Sequence, residues 1–212
     1  GLAGASHLAV SPDGAHLYVS AAGSNSVLVF AIADGALAPV QKLTSGSNGV
    51  VGLTGAAYVL VSGDGRLVYT AAVPSNASNS AIALFRRNAV SGELSFVERI
   101  QDGLGTFQPD SNVIRGVKRL HLTGDGRHLY AISSVSQSLA RFDVDANTGT
   151  LRYAGVQRGI GAQALASLAG VRDLVATPGD TQFYLLGNQG IALFSRALNG
   201  SLAQVASWPL PG

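Results

Sequence analysis

Several residue types are missing or scarce in this 212-residue chain, and each gap excludes a class of protein. There is no cysteine, which excludes disulfides and thiolate metal sites and leaves the redox compartment open. Charged residues make up only 12%, too few for long amphipathic helices. The net charge is +2 and the basic residues are scattered, so we expect no nucleic-acid partner. No apolar run reaches the roughly 18 residues that a membrane span needs, so we expect none.

Methionine is also missing, even at position 1, which predicts that the chain is a processed or excised piece of a longer protein. Glycine is abundant, with 27 residues, and the apolar residues fall in short runs of Val, Leu, Ile and Ala. Such runs between glycine-rich turns are typical of many short buried strands. The composition therefore favours an all-β fold.

Three landmarks recur four times along the chain in a constant order. The first is a tight turn followed by an aromatic strand, over 11–18, 62–69, 123–130 and 177–184. The second is an apolar strand that ends in phenylalanine, at Phe30, Phe85, Phe142 and Phe194. The third is a Gly-x-Leu turn, at Gly35, Gly92, Gly149 and Gly200. A unit of about 53 residues with four short strands is the size of a propeller blade, so the pattern predicts an all-β β-propeller with four blades of four antiparallel strands.

The predicted blades form a single propeller domain or segment, divided approximately as 1–50, 51–112, 113–168 and 169–212. In the first blade we expect strands over about 7–11, 16–21, 26–32 and 37–43. One such sheet cannot bury both of its faces, so blades must stack, and the recurrent Tyr and Phe are expected to pack between them. Three arrangements stay open: four blades closed alone, part of a larger propeller, or half of an eight-bladed homodimer.

The segment from Gly1 to Val19, together with Ser91–Val97, resembles the lactonase-type (6-phosphogluconolactonase-like, YVTN-like) β-propeller repeat family. The resemblance covers the whole chain, and members of that family usually have seven blades. It implies a bacterial exported or surface protein, periplasmic or extracellular. Because the shared residues are turn and core positions, the resemblance transfers no individual catalytic residue to this sequence.

Polar side chains differ between blades at one aligned position near the start of the innermost strands. With offsets of 51, 112 and 166 residues, the aligned residues are His7, Tyr58, Arg119 and Asp173. The position before them holds Ser6, Ala57, Lys118 and Arg172. Innermost strands converge on the central channel, so these residues predict a binding site at its mouth, although the water and ion pairs of any polar channel explain the same pattern. Arginine and histidine beside an acid can bind a carboxylate or a lactone and assist proton transfer.

Two long loops mark a second candidate surface. The second unit carries an insertion over 73–79, and the connection that follows this unit runs over 101–112. We expect both loops on the same face as the polar positions. A binding surface would use Asn76, Asn79, Phe107 and Asp110. The alternative is that both loops have no role in binding, because surface loops tolerate insertions at little cost in stability.

No cofactor and no metal site is expected. The segment Asp143–Gly149 departs from an EF-hand calcium loop because its glycine stands at the seventh place and Ala154 replaces the bidentate glutamate. The four histidines are too dispersed to ligate a metal by spacing alone. The sequence therefore predicts a non-catalytic binding or structural module with an unknown protein or small-molecule partner. The alternative is a lactonase-like hydrolase or lactonising enzyme with its site at the channel mouth.

Overall fold

The structure is a computed structural model that describes residues 1–104, 107, 110, 112–161 and 164–209. Within these residues, sixteen strands form four separate antiparallel sheets of four strands each, and there is no α-helix. In every sheet the strands lie in sequence order. Four-stranded antiparallel sheets of this order are the blades of a β-propeller, which confirms the predicted fold class. None of the described residues forms a helix of the length and apolarity needed to cross a membrane.

The strands of the four blades have the following bounds. Blade 1 contains β1 (Ala5–Val10), β2 (His16–Ala21), β3 (Ser26–Ala33) and β4 (Ala36–Thr44). Blade 2 contains β5 (Ala56–Val61), β6 (Leu67–Ala72), β7 (Ala81–Arg87) and β8 (Leu94–Gln101). Blade 3 contains β9 (Val117–Leu122), β10 (His128–Ser133), β11 (Ser138–Val144) and β12 (Leu151–Arg158). Blade 4 follows a short 3-10 turn (Ala166–Leu168) and contains β13 (Asp173–Ala176), β14 (Gln182–Gly187), β15 (Gly190–Arg196) and β16 (Leu202–Pro209).

The chain divides into two compact units. Unit 1 consists of Gly1–Gln101 with Thr148–Thr150, and unit 2 consists of Asp102–Asn147 with Leu151–Gly212. Unit 1 therefore holds blades 1 and 2, and unit 2 holds the strands of blades 3 and 4.

Each unit has a hydrophobic layer between its two blades. In unit 1 the layer consists mainly of Tyr18, Val27 and Val29 from blade 1 and Val59, Val68, Ala83, Phe85 and Leu94 from blade 2. In unit 2 it consists mainly of Tyr130, Ile132 and Leu139 from blade 3 and Leu174, Phe183, Leu185, Ala192 and Phe194 from blade 4. The recurrent aromatic residues in these layers are almost completely buried. They are packing residues, as the sequence predicts.

A tyrosine hydroxyl joins two of the sequence landmarks in both units. The hydroxyls donate to the carbonyl oxygens of the Gly-x-Leu turns, from Tyr18 to Gly92 (2.9 Å), from Tyr69 to Gly149 (2.7 Å) and from Tyr130 to Gly200 (2.5 Å). The side chain two residues before each tyrosine packs over the same glycine, as His16, Leu67 and His128. The glycine is required because an added Cβ at Gly92 would lie 2.1 Å from the His16 ring.

A buried arginine completes the contact between neighbouring blades. In unit 1, Arg87 is only 6% exposed and donates to the Tyr18 hydroxyl and to Asp13, both at 2.7 Å. In unit 2, Arg196 occupies the aligned position and donates to Asp125 at 3.1 Å. Burial alone would raise the pKa of Asp125. Hydrogen bonds from the Thr123 hydroxyl, the backbone and Arg196 outweigh this effect and lower the pKa to about 2.

Candidate functional site

An ion pair lies at the start of the inner strands of unit 2. Nη1 of Arg119, on β9, lies 2.5 Å from Oδ1 of Asp173, the first residue of β13. The same carboxylate oxygen accepts the backbone N–H of Leu174 at 2.7 Å. The two side chains are 37% and 42% exposed. Unit 2 therefore holds a carboxylate in a fixed orientation beside a guanidinium group, within reach of water.

A β-bulge precedes this aligned position in three blades. The pairing between the first and second strands shifts register between Ala5 and His7, between Ala56 and Tyr58, and between Val117 and Arg119. The extra residues in these shifts are Ser6, Ala57 and Lys118. A bulge bends its strand and redirects side chains, and bulges are frequent beside active sites. The alignment finds the position, but the bulge itself has no sequence signal.

Lys118 and Arg172 line one open pocket in unit 2. The pocket has a volume of about 500 Å³ and is also lined by Ser134, Gly170 and Asn188. Nη2 of Arg172 donates to Oδ1 of Asn188 at 2.7 Å. The two cations directly precede Arg119 and Asp173 in sequence, and the two members of the ion pair are not among the residues that line the pocket. The pocket offers two cations, a hydroxyl and an amide, a set suited to an anion that carries hydroxyl groups.

The two candidate residues of unit 1 also form a pair. The rings of His7 and Tyr58 stack with their centroids 3.9 Å apart and their planes tilted by 33°. Tyr58 is 9% exposed. The four aligned residues thus make a ring stack in unit 1 and an ion pair in unit 2. A single site that uses all four stays a prediction.

The insertion in blade 2 contributes to a second pocket, in unit 1. Asn76 and Asn79 line an open pocket of about 500 Å³ together with Thr54, Arg99 and Gln101. Nε2 of Gln101 donates to Oδ1 of Asn79 at 3.2 Å. The role of this surface in binding stays a prediction.

One described residue of the second long loop departs from its predicted surface position. Phe107 is corrected from a surface candidate to a core residue, because it is 2% exposed and packs edge-on against Phe142 and Tyr153. Asp110 accepts the Tyr153 hydroxyl at 2.6 Å. Burial, together with the bond to this carboxylate, raises the pKa of Tyr153. The remaining loop positions Gly105, Thr106, Gln108, Pro109 and Ser111 lie outside the described residues.

The sequence prediction does not include two of the pocket residues, Ser134 and Asn188. Each follows the second strand of its blade, four residues after Tyr130 or Tyr184. The same offset in blades 1 and 2 gives Ala22 and Val73. Aligning these loops as well as the inner strands would reveal two polar residues at equivalent positions.

These features define the class of protein, which is a β-propeller with a partly exposed, charged site at its inner strands. The chain belongs to the family described as "Lactonase, 7-bladed beta-propeller", which matches residues 1–114, more than half of the sequence. This membership confirms the predicted resemblance. No curated protein matches the chain.

Solved structures share the fold at low sequence identity. A protein assigned as a 6-phosphogluconolactonase from Bacteroides uniformis superposes with a TM-score of 0.73 at 19% identity, over 95% of this chain and 53% of its own. The periplasmic gluconolactonase PpgL of Pseudomonas aeruginosa gives a TM-score of 0.67 at 22% identity, over 96% and 53%. The chain therefore spans about half the length of the solved structures that it resembles. At this level of identity the likeness shows the fold.

Proposed function

We propose that this chain is part of a lactonase-like hydrolase whose site includes the start of the inner strands of unit 2. The observation that carries the proposal is the Arg119–Asp173 ion pair, whose two members directly follow, in sequence, the pocket residues Lys118 and Arg172. Family membership supports a hydrolase over the non-catalytic module that is the first expectation from sequence.

The proposed substrate class is the lactone of an anionic sugar acid. Two cations in the pocket supply charge-assisted hydrogen bonds to a phosphate or carboxylate, and Ser134 and Asn188 supply partners for hydroxyl groups. The names of the Bacteroides uniformis and Pseudomonas aeruginosa proteins support this class. The second name also supports a periplasmic or extracellular location for this chain.

Lactone hydrolysis adds water to the carbonyl carbon and breaks the bond from that carbon to the ring oxygen. In the proposed reaction Asp173 accepts a proton from the attacking water. Arg119 keeps the Asp173 carboxylate oriented, and the positive charge of its guanidinium group stabilises the oxyanion of the tetrahedral intermediate. The proton held by Asp173 passes to the ring oxygen as that oxygen leaves, which restores the carboxylate and gives an open-chain hydroxy acid. Lys118 and Arg172 hold the anionic group of the substrate during these steps.

Replacing both Lys118 and Arg172 with alanine is expected to raise the KM for a phosphorylated sugar-acid lactone by about 10- to 100-fold, because two charged hydrogen-bond donors are lost. The kcat should change little, since neither side chain acts on the reacting bond. Initial rates of acid release, corrected for spontaneous hydrolysis, measure both constants.

The matched control is Arg152→Gln, which removes a cation that is 77% exposed and pairs with Asp143 outside this pocket. It should leave both constants unchanged. A double variant with the KM of the unmodified chain would contradict the assigned binding role.

A further inference from the structure

The connection between the second and third strands of blade 2 is longer than its counterparts. It runs over 73–80, whereas the other three blades use 22–25, 134–137 and 188–189. Within it, the Ala77 N–H donates to the Pro74 carbonyl at 2.8 Å and the Ser80 hydroxyl donates to the Ala77 carbonyl at 3.0 Å. Ala77 has a φ of +56°, a left-handed conformation that is unfavourable for a residue with a Cβ. Backbone strain of this kind is frequent at segments that hold ligands, so the loop is a candidate wall of a binding site.

Arg99 and this loop line the same open pocket of about 500 Å³ in unit 1. Arg99 belongs to β8, the outermost strand of blade 2. Among the residues that the structure describes, its guanidinium group has no hydrogen bond and no ion pair. None of the described residues that line the pocket is acidic. The pocket therefore holds one uncompensated positive charge that water can reach.

A glycine makes room for the side chain of Arg99. Gly52 has a φ of +84°, and a Cβ at this position would lie 2.8 Å from Cγ and 2.9 Å from Cδ of Arg99. The aligned pairs of residues are Gly1 with Lys42 in blade 1, Val113 with Val156 in blade 3 and Ser167 with Ser207 in blade 4. Blades 3 and 4 thus have no cation at this position, and blade 1 has one without the long loop. The combination of a cation with the loop is specific to blade 2.

The hydroxyl groups of the pocket leave one donor unused. Oγ of Ser45 accepts the backbone N–H of Leu53 and the hydroxyl of Thr54, both at 3.3 Å. In the described part of the chain, the proton of the Ser45 hydroxyl has no acceptor. A hydroxyl whose two lone pairs are in use can only donate. Ser45 therefore offers a hydrogen-bond donor to a ligand.

The two asparagines of the loop also keep their donors. Oδ1 of Asn79 accepts the bond from Nε2 of Gln101 at 3.2 Å, and Oδ1 of Asn76 accepts the backbone N–H of Ser78 at 3.1 Å. The Nδ2 atoms of both asparagines have no acceptor within the described residues. Unused N–H and O–H donors around a single cation suit a ligand that is anionic and rich in oxygen acceptors.

We propose that this pocket of unit 1 binds a sugar acid, that is, a small carboxylate that carries several hydroxyl groups. The guanidinium group of Arg99 forms paired hydrogen bonds with the carboxylate. Ser45, Asn76 and Asn79 donate to the hydroxyl and ring oxygens. The volume lies in the range of roughly 300 to 1,000 Å³ that is usual for small-molecule sites. The site shares no residue with the pocket of the proposed hydrolase and does not depend on that function.

The test is a titration of the isotope-labelled full chain with D-glucuronate, followed by two-dimensional NMR of the backbone N–H groups. Saturable shifts are expected at Gly52, Thr54, Asn76 and Asn79, which all line the pocket. D-glucose has the same ring without the carboxylate and should bind at least about 10-fold more weakly, because it forms no charge-assisted bonds with Arg99. Equal affinity for the two sugars, or no saturable shifts at these residues, would overturn the proposal.

Substitutions separate the charge from the loop. Arg99→Gln should weaken glucuronate binding by about 10- to 100-fold and leave the weak binding of glucose unchanged. Asn76→Ala with Asn79→Ala should weaken the binding of both sugars by about 10-fold, since two neutral donors are lost. The matched control is Arg66→Gln, which removes an exposed cation of unit 1 that pairs with Asp64 outside this pocket, and it should bind glucuronate normally. Normal glucuronate binding by Arg99→Gln would contradict the assigned role of the cation.

A further variant distinguishes this site from the proposed catalytic pocket. Lys118→Ala with Arg172→Ala changes residues of unit 2 and should leave the glucuronate shifts at Gly52 and Asn79 intact. Shifts that are confined to unit 2 and vanish in this double variant would overturn the unit 1 site. Conversely, an unmodified chain that shows the unit 1 shifts but hydrolyses no lactone would support this site and contradict the hydrolase.

Discussion

Replacing Gly92 with alanine is expected to lower the free energy of unfolding by about 3 kcal/mol. A φ of +76° costs an alanine about 1 kcal/mol by itself. The new Cβ would also lie 2.1 Å from Cδ2 of His16, a buried side chain that must move from its packed position. Urea unfolding of the full chain, followed by circular dichroism, measures the loss.

The matched control is Gly35→Ala, at a φ of +75° with no neighbour within 4 Å of the added carbon. It should lose only the backbone contribution to the free energy of unfolding, about 1 kcal/mol. Adding His16→Ala to Gly92→Ala should relieve the clash, so the two changes together should cost less than the sum of the single changes. Equal losses for Gly92→Ala and Gly35→Ala would refute the steric explanation of the recurrent Gly-x-Leu turn.

Arg87→Met is expected to lower the free energy of unfolding by about 2 kcal/mol. The change removes hydrogen bonds to the Tyr18 hydroxyl, the Gly65 carbonyl and Asp13 while it keeps most of the apolar volume. The loss stays below that of a fully buried ion pair because the Asp13 side chain is 43% exposed and remains solvated. Thermal and urea unfolding at pH 7 measure it.

Arg66→Met provides the control, since that arginine forms an exposed ion pair with Asp64 and should contribute at most about 0.5 kcal/mol. The pH dependence gives a second check. Hydrogen bonds from Ser11, the Ala15 backbone and Arg87 hold the pKa of the Asp13 carboxyl well below its usual range. This stabilisation is complete above the unfolded pKa near 3.8 and is lost as the pH falls through the folded value, so the difference between the unmodified chain and Arg87→Met should narrow in acid. Equal losses for the two arginine variants would contradict the interblade role.

The strands and blades can be predicted from the sequence because their signals are local and recur. In blade 1 the observed strands begin and end within two residues of the predicted ones. Six of the eight Tyr and Phe landmarks are buried as predicted, whereas Phe30 is partly buried and Tyr184 is 39% exposed. The same reasoning isolates the positions that differ between blades, and it finds Lys118, Arg119, Arg172 and Asp173.

The contacts within the candidate site depend on distances that the sequence does not encode locally. The sequence does not show that Arg119 pairs with Asp173 while His7 stacks on Tyr58, because each pair joins different strands more than 50 residues apart. The sequence predicts Phe107 at the loop surface, whereas its ring contacts Phe142, because a single aromatic residue in a long polar loop carries no signal of such a distant contact. The bulges at Ser6, Ala57 and Lys118 arise from pairing register, which composition does not reveal.

The most direct test of the proposed function is the kcat of Asp173→Asn for a sugar-acid lactone, measured beside the unmodified chain and Arg152→Gln. The amide keeps the size of the side chain and can still contact Arg119, but it cannot accept the proton of the attacking water. The predicted result is acceleration above spontaneous hydrolysis by the unmodified chain and by Arg152→Gln, and a kcat about 100-fold lower for Asp173→Asn. An Asp173→Asn variant as active as the unmodified chain, or an unmodified chain that hydrolyses no lactone above the spontaneous rate, would contradict the account.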